Sequence, residues 1–244
     1  MPGKRTAVVG DIHANLDALE AVLEDARSEG VTDWLCVGDV VGYNACPNEC
    51  VETVRALGCP VVCGNHDHYC GYDESLADFH PIAAAVVEWT RSRLDPANAA
   101  WLRSLPYSVV EHGVTLVHAT LDEPERWGYV FEAVDADPSF FYQATQLCFH
   151  GHTHVPAVFE KRGGTVSRFP PGDVKLEFGC KYFVNVGSVG QPRDSDRRAS
   201  YCIWDSDART VSFRRVAYDV AAAQARIRGA GLPERLAKRL EIGR

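Results

Sequence analysis

The chain has 244 residues, a length that fits one large domain better than two small ones. Hydrophobic residues make up 46% of it and charged residues 24%, so it can bury a full core without disulfide bonds. A formal charge of -8 argues against a protein that grips nucleic acid through its phosphates, because such domains are usually basic. We therefore expect one domain over residues 1–244 and no stable nucleic-acid binding, although a nucleotide held by metal ions is compatible with this charge.

The sequence also predicts where the protein resides. No apolar run near Met1 is long enough for a signal peptide, and no stretch approaches the roughly 20 apolar residues of a membrane span. The nine cysteines follow no disulfide pattern, and neither Cys46/Cys50 nor Cys59/Cys63 has zinc-knuckle spacing. We expect a cytoplasmic protein with buried thiols and no membrane partner.

Strands and helices alternate in the first part of the chain. The apolar run 6–9 predicts a buried strand, and helical spacing of apolar residues over 16–26 predicts the helix that follows it. The alternation continues with a strand over 33–37, a helix over 47–57 and a strand over 60–63. Short connections between such elements imply parallel strands with right-handed crossovers.

The remainder favours helix over 74–104 and then a series of short strands. These strands are predicted at 107–110, 114–117, 147–149, 157–159, 182–186, 201–204 and 211–215. Residues 122–143 and 163–180, rich in Pro, Gly and charge, are expected to form loops. An amphipathic stretch over 220–240 predicts C-terminal helices with a break at 229–231. The pattern is that of an α/β protein with a second, largely antiparallel sheet.

Polar residues of the metal-ligand type follow the ends of several predicted strands. Four segments have a glycine first: Gly10-Asp11-Ile12-His13, Gly38-Asp39, Gly64-Asn65-His66-Asp67 and Gly151-His152-Thr153-His154. The strand over 114–117 runs directly into His118. Ligands bind beyond the carboxyl ends of strands in α/β sheets, so we expect these segments to converge on one site if their strands lie together in one core. The glycines allow sharp turns and close backbone approach.

The residue types and their spacing indicate metal binding. Residues i and i+2 of an extended chain point to the same side, so the pairs Asp11/His13 and His152/His154 can each reach one cluster. The candidate ligands are Asp11, His13, Asp39, Asn65, His118, His152 and His154. One tetrahedral zinc site uses four ligands, whereas this set with one shared carboxylate gives two ions four contacts each. We predict two divalent ions, Mn, Fe or Zn, with Ni or Co as alternatives.

Taken together, these motifs resemble the signature of the calcineurin-like metallophosphoesterases. The match runs in order over residues 10–154 and extends into 185–193, a segment similar to the small bacterial phosphodiesterase-like branch. The resemblance implies an α/β fold, a four-layer α/β/β/α sandwich of two mixed sheets flanked by helices. It also implies roles: Asp11, His13 and His154 hold one ion, Asn65, His118 and His152 the other, Asp39 bridges them, and His66 acts beside the metals as an acid or as a contact to the phosphoryl oxygens.

This chemistry predicts a phosphoesterase that hydrolyses a phosphomonoester or phosphodiester, nucleotide-like esters included. A hydroxide bound by the metals would attack phosphorus, and His66 would protonate the leaving group. Asp67 is a candidate to orient the His66 imidazole, with a plain turn role as the alternative. Asn15, Asn65 and Arg193 are candidate substrate-binding residues, although Arg193 is equally compatible with a solvated loop.

Two departures from the family pattern bear on the substrate. Val40-Val41-Gly42-Tyr43 stands where serine/threonine protein phosphatases carry an Asp-Arg pair, and Asp67 stands where their third motif ends in Glu. The segment after His118 also differs from the pattern of the bacterial branch, since it reads Ala119-Thr120-Leu121-Asp122. The sequence therefore does not predict the shape of the substrate pocket. Trp127, Tyr129 and Phe131 are candidates to stack on a base or simply to pack. The alternatives are a non-catalytic metal-bound interaction scaffold and a protein phosphatase. The substrate, the metals and the oligomeric state are left open.

Overall fold

The computed structural model describes residues 5–77 and 79–244. Its helices are α1 (Leu16–Ser28), α2 (Pro47–Ala56), α3 (Asn65–Gly71), α4 (Pro81–Arg93), α5 (Pro96–Arg103), α6 (Ala133–Tyr142), α7 (Val220–Gly229) and α8 (Glu234–Ile242). Its strands are β1 (Arg5–Val9), β2 (Asp33–Cys36), β3 (Ser108–Glu111), β4 (Val114–Val117), β5 (Leu147–His150), β6 (Ala157–Arg162), β7 (Thr165–Phe169), β8 (Val174–Lys175), β9 (Cys180–Asn185), β10 (Ala199–Asp205) and β11 (Thr210–Val216). None of these helices has the length and apolarity to cross a bilayer.

The strands form two mixed sheets. The first sheet has the order β2-β1-β10-β11-β8, with β1 and β2 parallel and the other pairs antiparallel. The second has the order β3-β4-β5-β9-β6-β7, with β4, β5 and β9 mutually parallel. As predicted, the early strand-helix-strand unit pairs in parallel, and the later strands add mostly antiparallel partners.

Alternation of buried side chains explains how the two sheets stack. Along β1, Ala7 and Val9 pack under α1 and α2, whereas Val8 packs into the layer between the sheets. The central layer takes residues from both sheets, including Leu116 of β4. The outer face of the second sheet is covered by α6 through Phe140. The result is helix, sheet, sheet, helix, which confirms the predicted four-layer α/β/β/α sandwich.

Four local predictions were wrong. The expected loop over 122–143 contains α6, because burial of Ala136 and Phe140 against the second sheet outweighs the charges and the internal Pro138. The expected loop over 163–180 contains β7 and β8. Residues 60–63 make a single bridge to β2 at Val61 instead of a strand. The predicted helix over 74–104 is in fact two helices, α4 and α5, and the residues before α4 are not helical where they are described. Residue 78 lies outside the described residues.

Candidate metal centre

The predicted ligand segments meet at one edge of the sandwich. They follow β1 and β2 in the first sheet and β4 and β5 in the second, so the converging strands belong to two sheets instead of one row of neighbours. Backbone hydrogen bonds join the segments: the Asp11 N–H donates to the Gly38 carbonyl at 2.9 Å, and the Gly151 N–H donates to the His118 carbonyl at 2.9 Å. The site is therefore built where two parallel strand pairs end face to face.

Two buried clusters of metal-ligand atoms share one carboxylate. The first consists of Asp11, His13, Asp39 and His154, and the second of Asp39, His118 and His152, with the ligand atoms of each cluster within 4.8 Å of one another. The Asp39 Oδ2 atom lies 3.5 Å from His13 Nε2 and 3.4 Å from His118 Nε2. The two clusters bring together the Asp and His residues predicted for each ion, with Asp39 common to both, and the bridging role of Asp39 stays a prediction.

The histidine rings are held with Nε2 facing the clusters. The Nδ1 atoms of His13, His118 and His154 lie 3.1, 2.8 and 2.6 Å from backbone carbonyl oxygens. A carbonyl only accepts, so Nδ1 carries the hydrogen and Nε2 of a neutral ring presents a lone pair. The Nε2 atoms of His13 and His154 lie 3.0 Å apart. Two lone pairs at this distance repel each other unless a cation binds them both.

The second cluster shows the same need for a cation. The Nε2 atoms of His118 and His152 are buried without a hydrogen-bond partner, and so is the Oδ1 atom of Asn65, the remaining predicted ligand. Buried polar atoms of native proteins rarely lack a partner. The His152 Nε2 and Asn65 Oδ1 atoms are acceptors suited to a metal ion, and His118 Nε2 becomes one when a cation replaces the proton that Asp39 favours. The orphaned Asn65 oxygen supports its predicted place as a ligand. The residues present therefore fit a dinuclear centre.

Electrostatics also favour bound cations. Burial and the neighbouring Asp39 charge raise the pKa of Asp11 to about 7. Burial would raise the pKa of Asp39 as well, but His118 and His13 hold it well below its usual range. Burial lowers the pKa of His118, and the Asp39 carboxylate outweighs this effect and raises it to about 9. Two carboxylates so deeply buried need a positive counter-charge, which divalent ions supply.

Glycine beside the ligands is explained by close packing. A Cβ atom on Gly64 would lie 2.2 Å from Asp39 Oδ1, and one on Gly151 would lie 2.2 Å from Asp11 Oδ2. Both distances are far below any real contact, so a side chain at either position would displace a metal-binding carboxylate. The glycine pattern seen in the sequence thus follows from the space that the ligands occupy.

Asp67 has a structural role that differs from its predicted one. Its Oδ1 atom accepts hydrogen bonds from the N–H groups of Val40 and Val41 at 2.8 and 3.1 Å, and its Oδ2 atom accepts from Gly64 N–H at 3.1 Å. The Nδ1 atom of His66 has no hydrogen-bond partner. The predicted orientation of His66 by Asp67 is therefore wrong: the carboxylate ties the start of α3 to the loop after Asp39.

Replacing Asp67 with Asn should lower the free energy of unfolding by about 1–3 kcal/mol, because the amide NH2 group cannot accept the Gly64 N–H bond. Urea denaturation of the metal-free protein measures this. The matched control is Asp137→Asn, at an exposed ion pair with Lys161, which should cost no more than about 1 kcal/mol. Equal losses in both variants would contradict the structural role of Asp67.

The structure places the two predicted substrate-binding residues Asn15 and Arg193 in different surroundings. Asn15 is buried, its Oδ1 accepts from Ala18 N–H at 3.2 Å, and its Nδ2 donates to the Gly190 carbonyl at 2.9 Å. Its polar atoms are used to cap α1 and to hold the 185–193 segment, so the substrate-binding prediction for Asn15 is wrong. Arg193 lies with its guanidinium carbon 5.5 Å from the centre of the Tyr43 ring, and its Nε atom has no partner. Its substrate role stays a prediction.

The segment 185–193 organises the site in a way that the sequence reasoning missed. The Asn185 amide donates to the Gly151 carbonyl at 2.6 Å, and the Ser188 hydroxyl donates to the Asp11 carbonyl at 2.8 Å. The Gln191 carbonyl accepts from His154 Nδ1. Tyr43, which the sequence placed near the substrate pocket without a role, has its ring centre 4.6 Å from that of His13 and 4.4 Å from that of His66. Only the family resemblance of 185–193 pointed towards this part of the centre.

Fold and site define a metallophosphoesterase, and comparison with known families agrees. The family model of the calcineurin-like phosphoesterase superfamily domain matches residues 5–209, and the chain belongs to that superfamily. It is 41% identical over 242 residues to an uncharacterized protein of Methanocaldococcus jannaschii, with 98% of each chain covered. The crystal structure of a metallophosphoesterase from Sphaerobacter thermophilus has a TM-score of 0.87 and 42% identity, covering 99% of this chain and 100% of that one.

A further relative is more distant and matches only a part of the chain. Over 124 residues, the sequence is 36% identical to the symmetrical bis(5'-nucleosyl)-tetraphosphatase of Glaesserella parasuis. This similarity covers 47% of this chain and 44% of that protein. These findings confirm the family resemblance that the motifs indicated.

Proposed function

We propose that the protein is a phosphoesterase that uses two divalent ions to hydrolyse a small phosphomonoester or phosphodiester. The observation that carries the proposal is the pair of buried ligand clusters sharing Asp39. When bound, two such ions lower the pKa of a coordinated water to about 7 and offset the charge of the reacting phosphoryl group. Imidazole and carboxylate ligands suit Mn, Fe or Zn.

His66 is placed to act on the substrate in this proposal. It is the second residue of α3, its backbone N–H donates to Asp39 Oδ1 at 2.8 Å, and its ring centre lies 4.9 Å from that of His13. Burial lowers the pKa of His66 to about 4, so the ring of the free site is neutral at pH 7. A phosphate anion beside it favours the protonated ring, which can then donate to the leaving oxygen.

An aromatic platform supports a nucleotide-like substrate. The Tyr129 ring stacks on His152, with ring centres 4.3 Å apart, and is nearly parallel to Phe131 at 5.8 Å. Tyr129 and Phe131 are 56% and 48% exposed, so these rings lie at the surface beside the metal centre, where a ligand can contact them. Bases stack on such rings regardless of their identity. The partial similarity to a nucleosyl-tetraphosphatase points in the same direction.

Metal reconstitution tests the proposal. The protein is stripped with a chelator, and Mn, Fe, Zn, Co or Ni is added back before assay with p-nitrophenyl phosphate and bis(p-nitrophenyl) phosphate. We expect metal-dependent hydrolysis of at least one ester. Survival of both esters with every metal, together with a stoichiometric protein partner in a pull-down, would favour the scaffold alternative. Faster turnover of phosphopeptides than of either ester would favour a protein phosphatase.

A further inference from the structure

A polar cavity lies next to Tyr43, whose ring is beside that of His13 in the metal centre. It has a volume of about 210 Å³, and three arginines line it: Arg193 from the segment after β9, and Arg235 and Arg239 from α8. The α8 residues are four positions apart, so they lie on one face of the helix. The fold thus brings three guanidinium groups from distant parts of the chain to one cavity.

These arginines lack the partners that other arginines of the C-terminal helices have. Arg226 pairs with Asp17 at 3.0 Å and Arg228 with Glu234 at 2.9 Å. In the described part of the chain, no carboxylate pairs with Arg193, Arg235 or Arg239. Arg235 is exposed and Arg193 and Arg239 are half-buried, so the three guanidinium groups are accessible, and a cluster of this kind without a counter-charge suits an anion.

The few polar contacts of the three arginines leave several of their N–H groups without a hydrogen-bond acceptor. Arg193 Nη2 and Arg239 Nη1 both donate to the neutral Oε1 atom of Gln191, at 3.1 and 3.4 Å. The Nε atom of Arg193 is buried without a partner. Burial lowers the pKa of Arg239, and the positive charges of Arg193 and Arg235 lower it further. An anion with several oxygens would offset these positive charges and accept the free N–H groups.

Tyr43 and Arg193 connect the cavity with the metal centre, because the Tyr43 ring lies beside His13 and the Arg193 backbone N–H donates to the His154 carbonyl at 3.3 Å. The Arg193 guanidinium lies over one part of the Tyr43 surface, 5.5 Å from the ring centre, and the rings of His13 and His66 lie 4.6 and 4.4 Å from the same centre. We infer that this arginine cavity binds a second phosphoryl group of the substrate while the first lies at the metal centre. The inference rests on the proposed function, and it narrows the substrate to organic diphosphates and polyphosphates, with nucleoside diphosphates as the simplest members.

Equilibrium binding of inorganic pyrophosphate and inorganic phosphate tests the inference. Isothermal titration calorimetry uses metal-loaded protein that has been desalted to remove free metal. We expect the wild type to bind pyrophosphate at least about tenfold more tightly than phosphate, because each Arg–phosphate contact is charge-assisted. Arg235→Gln and Arg239→Gln should each lose most of this preference. Lys238→Gln, on the same helix and outside the cavity, should keep it.

The possible results separate this inference from the proposed function. Equal binding of the two probes by the wild type, or an equal loss in Lys238→Gln, would overturn the second-phosphate site even if simple esters are hydrolysed. The protein could instead bind two equivalents of phosphate, the second of them only when Arg235 is present, and show no preference for pyrophosphate. The cavity would then be an independent phosphate site, and this result would also overturn the inference. A preference that depends on Arg235 and Arg239 in a protein that hydrolyses no ester would retain the cavity as a diphosphate site and refute the catalytic proposal. Circular dichroism checks that each variant is folded.

Discussion

Replacing Asp39 with Asn should abolish metal-dependent ester hydrolysis and reduce the bound metal from two ions to one or none. Asp39 is the one residue common to both clusters, and its Oδ2 atom lies between the Nε2 atoms of His13 and His118. Asparagine keeps the shape and the acceptor for the His66 N–H bond, but it removes the negative charge that two cations would share. Loss of an outer-sphere partner weakens metal sites by roughly 10–100-fold, and loss of the bridge should exceed this.

Metal analysis by mass spectrometry and ester hydrolysis assays check this expectation in parallel. The control is Asp207→Asn in the exposed turn between β10 and β11, which removes the same charge far from the centre. It should retain both ions and its activity. An Asp39→Asn variant that binds two ions as tightly as the wild type would show that Asp39 does not bridge them.

The ligand clusters could be predicted from sequence because their physical rule is local. Asp11, His13 and His118 come directly after buried strands, and the ends of β1, β2, β4 and β5 meet although these strands belong to two sheets. The sequence could not show which hydrogen-bond partner each polar side chain has in the folded protein. Asn15 lies at the right spacing for the pocket, but the N-terminus of α1 and the Gly190 carbonyl take its amide. Asp67 is likewise taken by three backbone N–H groups.

Features formed by packing between distant parts of the chain could not be predicted either, because the sequence does not show which segments meet. Arg235 and Arg239 belong to an ordinary amphipathic helix, and only the packing of α8 beside Tyr43 and Arg193 gives them a common cavity. The carbonyl groups that orient the histidines, such as that of Gln191, leave no signal in residue identity. Helix α6 was missed because its burial against the second sheet decides its structure more than its composition does.

Replacing His66 with Ala should lower kcat by about 10²–10⁴-fold while both ions stay bound, because the ring donates a proton without being a ligand. The ring lies beside His13 and Tyr43 and belongs to neither ligand cluster. The control is His68→Ala on the same helix, whose ring contacts Tyr107 and Glu74 instead. It should keep kcat and metal content close to wild-type values.

The leaving group distinguishes the two roles that His66 can have. A p-nitrophenolate leaves readily without a proton, whereas an alkoxide does not, so an acid matters more for alkyl esters. We therefore expect His66→Ala to lose more activity on an alkyl phosphate than on p-nitrophenyl phosphate. Equal losses on both would make His66 a contact to the phosphoryl oxygens, and loss of metal from the variant would make it a ligand. Because His66 Nδ1 packs against Gly42 without a hydrogen-bond partner, no described side chain holds a proton there in advance, and the substrate itself must favour the charged ring.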